Sequence, residues 1–261
     1  MSASAAPFDA TAHSYDASFT QTPLARALRQ IIWERLDPAF PPGSRVLELA
    51  CGTGEDAHRL ASRGVRILAT DQSEAMLAVA RQKCAGLPVD FAPLDLRNLD
   101  IGNWELGIGS FDGVFSNFGG LNVLSDFRPL ARFLAPRVRP GGRLIFVIMG
   151  RWCAWEILWH LAHLHPRQAF RRLRKEGAPG QVGSATITVQ YPSTAELRQA
   201  FGQNAIRLVN VHPLGLFLPP SYLEPITRRP FFPFRFFAAL DRLLPRPLWG
   251  DHTICEFVRF R

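Results

Sequence analysis

Val46-Leu47-Glu48-Leu49-Ala50-Cys51-Gly52-Thr53-Gly54-Glu55-Asp56 decides how the rest of the chain is read. It starts as an apolar run, turns through two glycines and leads into a helical segment. Behind a second apolar run, Val65–Thr70, comes an acidic residue, Asp71. Strand end, close-approach loop, helix start and carboxylate are the parts that hold a nucleotide-like ligand in an open α/β sheet.

Working outward, apolar runs and helical periods alternate. Strands are expected at Arg45–Ala50, Val65–Thr70, Val89–Leu94, Phe111–Ser116 and Arg143–Met149. Between them the spacing predicts helices over Glu55–Arg63, Ser73–Ala85 and Phe127–Val138, a loop through Gly102, Gly107 and Gly109, and a tight turn at Pro140-Gly141-Gly142. This alternation implies a parallel sheet with helices on both faces. Before it, Thr22-Pro23 can cap a helix whose apolar face is Leu24, Leu28, Ile31, Ile32 and Leu36, stopped by Asp37-Pro38 and Pro41-Pro42-Gly43. After it the pattern changes. Trp152–Lys175 reads as one long helix, Ala185–Tyr191 as an exposed strand, Ser193 as the cap of a short helix, Ile206–Val211 and His252–Phe260 as strands. Pro219–Pro247 is aromatic, proline-rich and basic, with a helix from Phe234 to Leu244. The expected organisation is a helical lead-in and lid (1–43), a cofactor-binding core (44–150), and cap insertions plus last strands (151–261). Within the last part, 151–190 and 213–250 are read as excursions that cover the ligand cleft.

The motif Glu48-Leu49-Ala50-Cys51-Gly52-Thr53-Gly54 resembles that of the class I S-adenosylmethionine-dependent methyltransferases, and the resemblance covers roughly residues 15–150. Ala50 stands where the strictest form of the motif has glycine. The resemblance implies a Rossmann-like fold, a seven-stranded, mostly parallel sheet, with S-adenosylmethionine as cofactor. It implies that Glu48, Ala50, Gly52 and Gly54 wrap the methionine part. Asp71 would take the ribose hydroxyls, and Gln72 and Met76 would lie near the adenine. Asp95 and Leu96 would meet the adenine edge, Asn117 and Phe118 the sulfonium and the incoming substrate, and Tyr15 would close over the cofactor. The residues argue the same way unaided. Ala57 sits where a dinucleotide fingerprint would have its third glycine, and Glu55-Asp56 at the helix start would repel a pyrophosphate.

The acceptor is less legible. Ser116-Asn117-Phe118-Gly119 lacks the Asn/Asp-Pro-Pro-aromatic motif of base-amine methylation, which argues against DNA. Asn122, Trp152, Trp155 and Tyr222 are the candidate substrate contacts, for a small apolar or aromatic metabolite. No catalytic base stands out among His13, His163, His212, Tyr222 and His252, and the His160/His163 pair has no companion ligands for a metal. Charge divides the chain: residues 1–150 hold 15 basic and 15 acidic residues, residues 151–261 hold 15 and 7, so the net +8 sits entirely in the second half. With the tryptophans that charge allows a peripheral membrane contact, an RNA or protein substrate, or a regulatory subunit that binds the cofactor without turnover. The four cysteines form no CxxC pair and read as reduced thiols. With no basic leader or long apolar span, the expected location is cytoplasmic.

Overall fold

A computed structural model describes residues 6–99, 111–227, 233–243 and 249–260. The glycine loop 102–109, Arg228–Phe232 and the expected helix end at Leu244 lie outside the described residues.

In chain order the helices are α1 (Ala12–Tyr15), α2 (Pro23–Ala39), α3 (Glu55–Ala61), α4 (Glu74–Lys83), α5 (Arg128–Leu134), α6 (Ala154–Ala162), α7 (Pro166–Ala169), α8 (Thr194–Gly202), α9 (Glu224–Thr227) and α10 (Phe234–Leu243). The strands are β1 (Arg45–Leu49), β2 (Arg66–Asp71), β3 (Val89–Pro93), β4 (Phe111–Ser116), β5 (Val138–Met149), β6 (Ala178–Val182), β7 (Ala185–Val189), β8 (Ile206–Leu214) and β9 (His252–Arg259). Seven of them form one sheet in the order β3-β2-β1-β4-β5-β9-β8. β1 to β5 pair in parallel, and β9 runs antiparallel between β5 and β8. β6 and β7 form a separate antiparallel hairpin.

Side-chain alternation divides the core in two. Leu144, Phe146 and Ile148 of β5 face a cluster with α5 and α8, while Ile145 and Val147 face one with α2, α3 and α10. A strand buried on both faces reads as the continuous apolar run seen in the sequence. The caps form as expected. Thr22 and Ser73 accept the backbone N–H groups of Ala25 and Met76, and Ser193 with Glu196 closes a capping box.

The structure corrects several element readings. α2 passes through Pro38 and stops at Ala39. The missing N–H and the ring's clash with the carbonyl four residues back fall one residue before the helix end, so little helix follows for them to disturb. Pro140-Gly141-Gly142 is looped out within β5, where the pairing jumps from Phe111↔Val138 to Gly113↔Arg143. The long helix over 152–175 breaks: Leu164 takes φ +58°, Pro166 follows, and α7 begins anew. His165, before the proline, is also kept out of the helical region, which separates the two pieces. Among the described residues of the aromatic insertion, none lines the cleft described below. Phe234, Phe237 and Ala238 of α10 join the cluster built on α2.

Candidate active site

The chain runs outward from β1 through β2 to β3, then crosses back to β4 on the other side of β1. Strand order therefore reverses between β1 and β4, and ligands of open sheets bind outside the carboxyl ends of strands at such a point. A cleft opens there. It is lined by Tyr15, Glu48, Ala50, Gly52, Asp71, Gln72, Met76, Asp95, Leu96, Asn117 and Phe118, and also by Asn122.

Gly54 is not in the lining. It takes φ +74° and caps α3, and a Cβ there would come within 2.8 Å of the Ala80 Cβ on α4. Close helix packing, not ligand approach, requires that glycine. Gly52 is different: it has φ +53° and nothing within 4 Å of where a Cβ would point. Its N–H donates to Asp71 Oδ2 (2.8 Å), and the Ser73 N–H donates to Asp71 Oδ1 (2.9 Å). These bonds aim the carboxylate across the loop. Burial raises the Asp71 pKa, and the backbone donors only partly offset it.

Glu48 is the oddest group of the cleft. It is 2% exposed, its Oε2 has no hydrogen-bond partner among the described residues, and burial, followed by the nearby Asp56, holds its carboxyl well above the usual range. Asp56, by contrast, is fully engaged. It accepts from Trp33 Nε1 (2.7 Å) and Asn117 Nδ2 (2.8 Å), with Arg29 Nε 3.4 Å away. Asn117 thereby loses its amide to Asp56, and its Oδ1 accepts from the Phe118 N–H (2.8 Å). Phe118 itself sits at φ +43°. Asp95 is held by Arg97, which lowers its pKa.

The lead-in roofs the cleft. Ser73 Oγ donates to Asp9 (2.5 Å), Thr53 Oγ1 donates to Asp16 (2.6 Å), and Lys83 meets the other Asp16 oxygen at 2.7 Å. Between these ties Phe8, Tyr15, Phe19 and Phe118 form an aromatic chain with successive centroids 6.4, 5.6 and 5.1 Å apart. Burial pushes the Tyr15 phenol up to about 12.

The expected substrate contacts fare differently. Asn122 lines the cleft, but its amide donates to the carbonyls of Met149 (3.0 Å) and Gln190 (2.5 Å) and accepts the Met149 N–H (2.9 Å). It is the joint between β5 and the end of the β6–β7 hairpin. Trp152, Trp155 and Tyr222 do not line the cleft. Trp155 Nε1 donates to the Phe217 carbonyl (3.2 Å), Trp152 stacks on Trp249, and the Tyr222 hydroxyl donates to Glu156. The break at Leu164 lets α7 and the following turn fold back so that Arg171 and Arg172 reach Glu156, and this cluster ties Tyr222 down.

Sequence reasoning missed the apolar wall: Val123, Met149, Ile187 and Val189. The alternation of Thr186-Ile187-Thr188-Val189 was the available signal. It missed Arg29 too, which lines the cleft with its guanidinium 4.8 Å from the Phe118 ring centroid; a basic residue on the buried side of α2 was the clue.

A glycine turn at a switch point, acidic groups at successive strand ends and an aromatic roof define a nucleoside-cofactor-binding α/β domain. Comparison with known proteins shows what this domain is similar to. Residues 46–142 match the family described as methyltransferase domain. The chain is 35% identical over 143 residues to a demethylmenaquinone methyltransferase of Clavibacter sepedonicus, covering 54% of this chain and 55% of that one. It spans about half the length of the curated relatives it matches. An S-adenosylmethionine-dependent methyltransferase from Mesorhizobium loti shares the fold, with TM-score 0.58, 19% identity and coverage of 90% and 100%. So does a Haemonchus contortus phosphoethanolamine N-methyltransferase in complex with S-adenosylmethionine, with TM-score 0.61, 17% identity and coverage of 97% and 57%. Residues 46–142 thus carry the sequence pattern of a methyltransferase domain, within a fold shared with solved S-adenosylmethionine-dependent methyltransferases. Among the described residues no helix is long and apolar enough to cross a membrane, and no group of acidic, His and Cys residues has the arrangement of a metal site.

Proposed function

We propose that the protein transfers the methyl group of S-adenosylmethionine to a small lipophilic or aromatic acceptor held beside Phe118. The observation that carries this reading is the division of the cleft: carboxylates at one side, Val123, Met149, Ile187 and Val189 at the other. The polar side fits the cofactor. Glu48 is a buried carboxyl with an unpartnered oxygen, suited to a ligand that carries positive charge. Asp71 has one backbone donor on each oxygen, which leaves lone pairs for vicinal hydroxyls. The apolar side fits a flat or isoprenoid-like group, in line with the quinone named for the Clavibacter relative.

The bound cofactor supplies an electrophilic sulfonium methyl. The chain's own part is to position and dry the reactants, from which most of the rate of an in-line displacement can come. The Tyr15–Phe19–Phe118 roof keeps water from the reacting end. Asn117, fixed by Asp56, holds the turn after β4 in its left-handed conformation and so sets the wall the acceptor lies against. An acceptor that enters as a phenolate or stabilised carbanion needs no side-chain base.

The test is calorimetry with S-adenosylmethionine, followed by an assay for S-adenosylhomocysteine with a prenylated hydroquinone and with lipid extract. Asp71→Ala is expected to weaken cofactor binding at least tenfold, since a charged hydrogen bond contributes roughly 1.5–3 kcal/mol. Unchanged affinity would remove the ribose role. Tight binding without turnover on either acceptor source would favour a regulatory subunit.

A further inference from the structure

α6 has its polarity reversed. Its one buried residue is Glu156, 1% exposed, whereas Leu158, Leu161 and, just past its end, Leu164 are 66%, 42% and 87% exposed. A surface helix ordinarily buries its apolar stripe and shows water its charges. The cause lies underneath. Glu156 accepts from Arg171 (2.6 Å) and Arg172 (2.9 Å), and Arg172 also bonds Asp251 (2.6 Å), so the ion cluster claims the inner face. The leucines are left outward. Phe170 and Leu173, beyond α7, extend the exposed apolar surface, and α7 packs back on α6. Exposed apolar side chains gathered within one short, back-folded segment mark an interaction site.

The charge beside the patch narrows its partner. Arg167, Arg174 and Lys175 are exposed, and among the described residues none has an acidic partner. The excess positive charge of the chain sits in the same half. A second copy meeting this face by two-fold symmetry would set those cations against themselves. An anionic lipid surface offers both an apolar layer and phosphates.

We propose that the face formed by residues 158–175 docks on an anionic bilayer. Leu158, Leu161 and Leu164 enter the boundary between headgroups and acyl chains, and Arg167, Arg174 and Lys175 meet lipid phosphates. The dock is rigidly joined to the cleft. Arg172 bonds the carbonyl of Gly150 (3.3 Å), the residue after Met149 of the cleft wall. Resting on the methyl-transfer reading, this brings a membrane-dissolved acceptor to the apolar side of the cleft without passage through bulk water.

The experiment is co-sedimentation of the full chain with vesicles of phosphatidylcholine alone and of equal parts phosphatidylcholine and phosphatidylglycerol, at low and high salt. Two variants accompany it: Leu161→Gln/Leu164→Gln, and Arg167→Gln/Arg174→Gln/Lys175→Gln. The parent is expected to pellet with the mixed vesicles and at least tenfold less with phosphatidylcholine alone. The triple variant should lose about a hundredfold in partitioning, from roughly a fivefold factor per cation, and the double variant at least tenfold. Calorimetry with S-adenosylmethionine on the same samples keeps the two readings apart. Unchanged cofactor affinity certifies the fold of each variant, and vesicle binding without cofactor binding removes the enzymatic reading while the dock stands. A parent that stays in the supernatant at low salt overturns the dock. A dimer in sedimentation equilibrium that the leucine variant dissolves assigns the face to a second copy instead.

Discussion

Two sets of buried carboxylates behave in opposite ways. At the floor of the cleft, Glu48 has, among the described residues, no cationic partner within bonding distance and an unsatisfied oxygen, and its pKa is raised by burial. Beneath α6, Glu156 and Asp251 are just as buried. There burial also opposes ionisation, but Arg172 and its neighbours, Arg171 at Glu156 and His252 at Asp251, overcome it and both pKa values fall. A carboxyl already paired has nothing to offer a ligand. One kept from water and left alone is uncomfortable until a positive charge arrives. The contrast separates a group held ready for a ligand from groups that hold the structure together.

The sharpest way to break the comparison is Arg172→Ala. It leaves Glu156 and Asp251 buried without their shared cation, and breaking such a pair costs about 3–5 kcal/mol. At roughly 2–4 °C per kcal/mol for a chain of this size, the melting temperature should drop by about 10 °C. A loss below about 1 kcal/mol would show that the cluster relaxes into water and that α6 is not anchored through it.

Glu48→Gln comes next. The cofactor-bound form should lose about tenfold in affinity, the loss of one charge-assisted interaction, by calorimetry. In the cofactor-free protein the same change should stabilise, and the sign follows from linkage. The folded pKa of Glu48 lies above its unfolded value near 4.3, so its contribution is fully present at lower pH and is lost as pH rises through the folded value. Glutamine carries no such loss, so the variant should melt higher than the parent at pH 7 and alike at pH 4. The depressed Glu156 and Asp251 do the reverse: their stabilisation is present above about pH 4 and is lost on acidification. Melting curves across pH that show equal slopes for parent and variant would erase the distinction between the two regions.

The sheet could be read from the chain because it depends on near neighbours: apolar runs of strand length, caps such as Thr22 and Ser73, and turns before each strand. So could the polar side of the cleft, since a strand end and its following turn place their own residues, as at Asp71, Asp95 and Asn117. What failed depended on distant partners. Trp152, Trp155 and Tyr222 have the composition of a pocket, yet their places are set by distant partners: Trp249, the Phe217 carbonyl and Glu156. Val189 has no special composition and lines the cleft because Asn122 clasps the neighbouring Gln190. Gly54 was assigned to the ligand because its partner in space, Ala80, is 26 residues away in sequence and nothing local announces it.

Ala50 gives the smallest predicted effect, and the opposing terms can be weighed. Its φ is +54°, a region that costs a residue with a Cβ about 1–2 kcal/mol. Glycine would remove that strain, but it would add about 0.4–1 kcal/mol of unfolded-state freedom. It would also give up the methyl that packs against Gly120, where a Cβ would come within 2.6 Å of the Ala50 Cβ, a loss of up to about 0.8 kcal/mol. The terms nearly cancel, so Ala50→Gly should shift stability by less than about 1 kcal/mol and cofactor affinity by less than about twofold, read by thermal melting and calorimetry. That near-cancellation is why alanine can stand where the strict motif has glycine. A melting temperature lower by more than about 5 °C would mean that the methyl is a structural part of the cleft wall and that the turn is not strained.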